Sequence, residues 1–192
     1  GQECERGTFP QRHAVWHEQN VESQRISLNH LNLGPQALLQ VCNNNLTEMA
    51  ARGFGVGYTL ESPNIRVLWY AQFGDFANGA KVIIDTFVAA GERKWRPQSG
   101  MTLLLPHGYE RQGPEHSSAR LERFLQMCDD NPEVVPEMDP DKRTQIQQAN
   151  WQVVNPTTPA NYFHVLRRQV HRQFRKPLGV MSPRSEEHTS EL

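Results

Sequence analysis

The sequence predicts an α/β fold: a doubly wound, mostly parallel sheet with helices on both faces. Two observations predict it. Short, predominantly apolar runs without polar alternation recur along the chain, as in LLQVC, RVLWY, MTLLL and LGVM, and the stretches between several of them carry a helical rather than an alternating pattern. A strand apolar on both sides is covered on both faces, which is the setting of parallel strands joined by right-handed helical crossovers. The length of 192 residues agrees with one domain and a real core.

The elements follow in order. Leu38–Cys42 reads as the first buried strand, and Leu46–Leu60 as a helix capped by Asn44 or Asn45. Arg66–Tyr70 is the second strand. Asp75–Ala90 is the second helix, with Phe76, Ala80, Ile83, Ile84, Phe87 and Val88 on its apolar side and Gly91 as its terminator. Met101–Leu105 is the third strand, followed by a long loop from Pro106 to His116 and a helix over Ser117–Met127. Asp129–Asp141 is acidic and carries three prolines, so it reads as a surface loop. Trp151–Asn155 is the fourth strand. Thr158 caps the next helix with Pro159 at its first position, and Leu178–Met181 is the last strand.

Composition narrows the function. Hydrophobic residues make up 37% and charged residues 21%, which favours a folded domain over disorder. A net charge of -1 points to neither nucleic acid nor an anionic membrane as partner. No apolar run approaches the roughly 20 residues of a membrane span. The three cysteines, Cys4, Cys42 and Cys128, are odd in number, far apart and without CxxC spacing, which argues against a disulfide framework and fits a reducing compartment. The opening GQECERGTF is neither a signal nor a transit peptide and begins as a cut chain would, so a fragment is expected. The polar run RSEEHTSEL (184–192) differs from what precedes it and resembles the translation of a sequencing-library adapter; the domain is expected over 1–183 with an artefactual tail behind it.

In a doubly wound sheet, ligands sit beyond the carboxyl ends of the strands. Four segments leave those ends: CNNNLTE, AQFGDF, PHGYERQGPEHSS and NPTTPAN. The third offers His107, Glu115, His116, Ser117 and Ser118, and a neutral imidazole can move protons near pH 7. On an isolated loop a histidine usually does nothing; two on a glycine-bearing loop at a strand end shift the balance toward function. Glu48 stands in the first turn of its helix, where the dipole alone could explain a carboxylate, or where it could share a proton with a ring nitrogen in a closed cleft. Gln72, Phe73 and Phe76 surround Gly74; such rings are usually core but can wall a heterocycle. No GxGxxG, GxxxxGK[ST] or GxSxG occurs, so Ser117 beside His116 is a weak hydrolase signal. His13 and His17 have metal-ligand spacing but no second ligand cluster, and a strand reading there is equally good. The basic run RRQVHRQFRK (167–176) reads as a solvated or interface helix face.

Together, RGTF-P-QRHAVWHEQN, AQFGDFANGA, PHGY-x-x-QGPEHSSARLERFLQM and NWQVVNPTTPANYFHVLRRQVHRQFRKPL resemble the decarboxylating dehydrogenase component of 2-oxoglutarate dehydrogenase complexes, from about Arg6 to Pro183. In that family this stretch is a transketolase-like pyrimidine-binding domain. The resemblance implies thiamine diphosphate as cofactor, with Glu48, in LTE where the family has LSE, bonding a ring nitrogen of its aminopyrimidine. It implies that Phe76 stacks on the pyrimidine, that Gln72 lies close to it, that His116 faces the substrate as proton donor or stabiliser, and that His107 is a weaker candidate. It further implies oxidative decarboxylation of 2-oxoglutarate, acyl transfer to a lipoyl-bearing acyltransferase, a homodimeric full enzyme, and a magnesium ion held by a separate domain with a GDG…N motif, which this sequence lacks. No decarboxylase activity is therefore expected of this chain alone. The implied location is the mitochondrial matrix in a eukaryote and the cytoplasm in a bacterium. Departures stand at Gly55 and Tyr70, where the family has glutamates, and at Arg111 and Gly179. The competing readings are a 2-oxoadipate dehydrogenase component and a degenerate, non-catalytic dimerisation module.

Overall fold

The computed structural model describes residues 1, 4–5, 14–31, 34–44, 47–108, 113–135, 137, 141 and 148–183. The chain divides into two compact units, Gly1–Leu46 and Thr47–Leu192.

In the first unit, β1 (Trp16–His17) pairs antiparallel with β2 (Gln24–Arg25), Trp16 opposite Arg25. His17 thus lies on a strand, while its proposed metal partner His13 lies outside the described residues. The apolar run Leu38–Cys42 forms no strand, contrary to expectation. The reason is local. The Asn29 carboxamide donates to the Leu39 carbonyl at 2.9 Å and accepts from the Leu39 N–H at 2.7 Å, so one side chain satisfies both groups that a ladder would have paired. Leu38 is left 78% exposed.

The second unit carries the sheet. Its elements are α1 (Glu48–Glu61), β3 (Leu68–Tyr70), a helical stretch containing α2 (Lys81–Ile83) and α3 (Gly91–Trp95), β4 (Thr102–Pro106), α4 (Leu121–Gln126), β5 (Gln152–Val154), α5 (Pro159–His171) and β6 (Leu178–Ser182). The strand order is β3-β4-β6-β5 and every pairing is parallel, with Leu68 opposite Thr102, Thr102 opposite Leu178 and Gln152 opposite Leu178. The predicted parallel α/β architecture is therefore present. Central strands β4 and β6 are covered on both faces: Leu103, Leu178 and Met181 are 0% exposed. Leu68 on edge strand β3 is 42% exposed. From β4 the chain skips to β5 at the far edge and returns to β6. With right-handed crossovers this reversal sets the helices after β3 and β4 on one face and α5 on the other. Phe124 stacks on the buried Trp151 in the core, centroids 5.3 Å apart.

Three expectations need correction. The helix expected over Asp75–Ala90 is a composite: a 3₁₀ turn over Gly74–Ala80, α2, then a π-helical stretch over Ile84–Ala89. Gly91 does not end it but opens α3, whose end is marked by Arg96 at φ 74°, its N–H bonded to the Glu92 carbonyl. The helix expected over Ser117–Met127 begins only at Leu121, because Arg120 is left-handed at φ 57°. The basic run is not a solvated face throughout. Arg172 is 3% exposed and bonds Gln152, and Lys176 is 5% exposed with its ammonium 2.5 Å from Glu92. No described helix is long and apolar enough to cross a membrane.

Candidate functional site

Because β3 and β4 are neighbours, the segments leaving their carboxyl ends lie side by side. Gly74 is the point of contact. A Cβ there would stand 2.5 Å from the Ala119 Cβ and closer still to the carbonyl oxygen of Pro106, so only glycine admits this approach. The contact brings the turn after β3 against the loop that carries His116.

His116 ends a short 3₁₀ turn, Pro114–His116. Its ring stacks on Phe73, with centroids 4.2 Å apart and planes 12° apart, and meets Phe76 edge-on at 5.5 Å. Its Nδ1 lies 3.1 Å from Asp75 Oδ1. A carboxylate oxygen only accepts, so Nδ1 donates and Nε2 is left to face whatever enters. Glu115 Oε1 is 3.9 Å from that Nε2. The His116 and Asp75 side chains are 26% and 16% exposed, so the pair is partly shielded but accessible. A histidine oriented by a carboxylate and walled by two rings can give or take a proton in a fixed direction.

Glu48 is the first residue of α1. Thr47 caps this helix, its Oγ1 accepting from the Ala50 N–H at 3.4 Å, in place of the expected Asn44 or Asn45. The Glu48 carboxylate lies over Gly79: a Cβ at Gly79 would come within 2.7 Å of Oε2. Gly79 and Phe76 are three residues apart on one 3₁₀ turn, where such positions eclipse. Glu48 therefore lies on the side of the turn that also carries the Phe76 ring. One helical turn further, Arg52 is fully buried, its guanidinium 3.8 Å from the centroid of the Trp69 ring. Among the described residues its three nitrogens have no hydrogen-bond partner, nor has Trp69 Nε1. Burial pushes the Arg52 guanidinium down to about 9, opposed by the nearby Glu48 carboxylate.

Of the residues singled out in the sequence, Phe76 and His116 thus meet directly, and Glu48 joins them through Gly79. Gln72 is half-buried at the end of β3, its carbonyl accepting from the Tyr70 hydroxyl at 3.4 Å. His107 braces the loop: its Nδ1 accepts from the Ala119 N–H at 3.0 Å and its own N–H bonds the Ser182 carbonyl. Ser117 donates its hydroxyl to the Gly113 carbonyl at 2.6 Å, which leaves no support for a Ser117–His116 nucleophile. NPTTPAN leaves β5 at the far edge of the sheet, where Thr158 caps α5 with Pro159 behind it, as expected. Gly55 faces the core, since a Cβ there would sit 3.1 Å from Met101 Cε. Arg111 lies outside the described residues. Sequence reasoning missed Asp75, although it stands inside AQFGDF, and missed Arg52, whose position on the apolar side of α1 was the available signal.

The comparisons with known proteins fit this geometry. The family model for the transketolase pyrimidine-binding domain matches residues 1–188. The chain is 54% identical over 188 residues to the mitochondrial 2-oxoglutarate dehydrogenase of Dictyostelium discoideum, covering 96% of this chain and 19% of that protein. It is 56% identical over 180 residues to the mitochondrial 2-oxoglutarate dehydrogenase of Saccharomyces cerevisiae, covering 94% and 18%. It is 53% identical over 185 residues to the 2-oxoglutarate dehydrogenase E1 component of Brucella anthropi, covering 96% and 17%. The chain thus spans less than a fifth of the length of these relatives. A parallel sheet whose strand-end segments gather a carboxylate, an aromatic wall and an oriented histidine, matched by the family model over nearly its whole length, makes this chain a member of the transketolase pyrimidine-binding domain family.

Proposed function

We propose that this chain supplies the aminopyrimidine half of a thiamine diphosphate site in the decarboxylating component of a 2-oxoglutarate dehydrogenase complex. The observation that carries the reading is that Phe76 and His116 meet beyond the neighbouring ends of β3 and β4, with His116 held by Asp75 and the Glu48 carboxylate, from the start of α1, resting on Gly79 of the same turn as Phe76. These residues fit an aminopyrimidine: Phe76 offers a flat apolar face, and the Glu48 carboxylate beside it can take a hydrogen bond from a ring nitrogen. Gln72 lies at the same strand end. His116 faces the substrate and moves a proton at Nε2, with Asp75 fixing its ring. Thiamine diphosphate, when bound, supplies the electron sink for loss of carbon dioxide from a 2-oxo acid.

Among the described residues there is no cluster of His, Cys, Asp or Glu able to hold a metal ion. The resemblance assigns the magnesium ion and the diphosphate to another part of a full enzyme, and the chain by itself is expected not to turn over 2-oxoglutarate. The partners proposed for the full enzyme are a second copy and a lipoyl-bearing acyltransferase. The proposed setting is the mitochondrial matrix in a eukaryote and the cytoplasm in a bacterium. The reading as a degenerate module rests on the Gly55 and Tyr70 departures: Gly55 faces the core beside Met101, and Tyr70 is buried on β3.

The test is to exchange this chain for the matching segment of the Saccharomyces cerevisiae relative and follow oxidation of 2-oxoglutarate. The chimera should be active, and Glu48→Gln and His116→Ala should each lower kcat by roughly 10²–10⁴-fold. Full activity in the Glu48→Gln chimera would sink the assignment.

A further inference from the structure

The first unit contains a cysteine pair that nothing above uses. Cys4 and Cys42 are 38 positions apart, yet the Cys4 thiol donates to the Cys42 carbonyl at 3.0 Å. A carbonyl oxygen lies about 2.4 Å from its own Cα, from standard bond lengths and angles. The Cys4 sulfur is therefore within about 5.4 Å of the Cys42 Cα, by summing the two distances. That is near enough for a rotation of the Cys42 side chain, with a small shift, to bring the sulfurs together.

The pair is held in register from both sides. The Glu5 N–H donates to Asn43 Oδ1 at 3.0 Å, and the Asn43 N–H returns a bond to Glu5 Oε1 at 3.1 Å. On the other side the Asn44 N–H bonds the Gly1 carbonyl at 2.8 Å. Gly1, Cys4 and Glu5 are thus already tied to residues 42–44 before any covalent bond forms. Both cysteines are free; Cys42 is exposed and Cys4 half-buried.

We propose that Cys4 and Cys42 are a thiol pair that closes reversibly to a disulfide under a peroxide. The exposed Cys42 thiolate attacks one peroxide oxygen, giving a sulfenic acid and releasing water. The Cys4 sulfur then displaces the sulfenic oxygen as a second water, forming the S–S bond. Two thiols and one hydrogen peroxide become one disulfide and two waters, with sulfur oxidised and peroxide oxygen reduced. A dithiol reductant returns both thiols. Cys128 is an internal control. It is half-buried, its Sγ is 3.9 Å from the Trp151 carbonyl, and burial raises its thiol, which slows attack.

The bond would tie the start of the unit to the segment that leads, along the chain, to Thr47 and Glu48. Among its described residues the first unit has only two-residue strands, so a covalent tie across it should dominate its resistance to opening.

The experiment treats the 192-residue chain with stoichiometric hydrogen peroxide. Peptides are then mapped by mass spectrometry without reductant, in the parent and in Cys4→Ser, Cys42→Ser and Cys128→Ser. The expected product is an intramolecular Cys4–Cys42 peptide lacking two hydrogens. It should persist in Cys128→Ser, vanish in the other two variants and reverse with dithiothreitol. Limited proteolysis within the first unit should slow by at least about tenfold on oxidation, tracking its lower open population. The proposal is overturned if the parent gives only sulfinic or sulfonic acids, only intermolecular disulfides, or a pairing with Cys128. It is equally overturned if the cross-link forms but leaves proteolysis unchanged.

Discussion

Gly74→Ala tests whether the site depends on the approach seen between the turn after β3 and the loop after β4. The added methyl would lie 2.5 Å from the Ala119 Cβ and nearer still to the Pro106 carbonyl oxygen. Carbon contacts are comfortable at about 3.5–4.0 Å, so the shortfall is about 1 Å or more on two sides at once. Neither neighbour can swing away. One is a backbone oxygen at the end of β4, the other a single carbon on a residue only 2% exposed. The loop itself must move, and small-to-large changes of this kind cost about 3 kcal/mol, the upper part of the usual range. For a chain of this size that lowers Tm by roughly 6–12 °C. Thermal and urea unfolding of the parent and variant give the number. The same shift should pull His116 off Phe73 and away from Asp75, read as a change in the His116 ring resonances. A variant as stable as the parent, with unchanged His116 resonances, would refute the contact and with it the reason the two segments meet.

Gly57→Ala is the matched control: it lies inside α1 with nothing within 4 Å of the added carbon, so it should stabilise by about 0.5–1 kcal/mol in urea unfolding. Gly179→Ala should also stabilise, by a few tenths to about 1 kcal/mol. In the middle of β6 its new methyl meets Gln152 and Phe124 at ordinary distances of 3.8 and 3.9 Å. Asp75→Ala should remove the fixed proton from His116 Nδ1, visible as a change in the ring nitrogen shifts, while the stack on Phe73 persists. Arg52→Leu should raise stability near neutral pH by a few kcal/mol, since it replaces three buried nitrogens without hydrogen-bond partners. The sign with pH follows: the folded value near 9 lies below the ordinary guanidinium range, so above it the unfolded chain binds the extra proton and parent stability rises with pH. The advantage of Arg52→Leu should therefore shrink by about 1.4 kcal/mol between about pH 8 and pH 10. A constant difference would contradict the burial of an unpaired guanidinium.

What was legible in the sequence was whatever burial dictates locally. MTLLL and LGVM are apolar but for Thr102, and they form the two strands covered on both faces. Thr158 and Pro159 announce α5 because a cap and a first-turn proline act within four residues. What was not legible depends on a distant partner. LLQVC has the composition of a strand, but its central backbone groups are taken by the side chain of Asn29, ten residues away. Arg172 and Lys176 look like surface charges until Gln152 and Glu92 arrive from other elements. Asp75 and His116 are 41 positions apart, and only the adjacency of β3 and β4 joins them. Glu48 was singled out by type and position, whereas the Gly79 that lies against it was invisible, because a glycine gives no sign of what packs on it.

The irregular stretch after β3 carries most of the proposed site, and its departure from α-helical geometry has a consequence there. FGDFANGA carries two glycines, Gly74 against the β4 loop and Gly79 against Glu48, with Asp75 and Phe76 between them. At 3.6 residues per turn, positions three apart differ by about 60° around the axis, which would turn Phe76 away from the line of Gly79. At three residues per turn they eclipse. The 3₁₀ turn therefore sets the Phe76 ring in line with the carboxylate that rests on Gly79, while Gly74 fixes the start of the turn against the segment bearing His116. An ordinary helix over the same residues would satisfy the hydrophobic periodicity equally well. It would leave Phe76 and Gly79 on one face but offset by about 60°, so the periodicity that predicts a helix here is correct about burial and silent about the register of the proposed site.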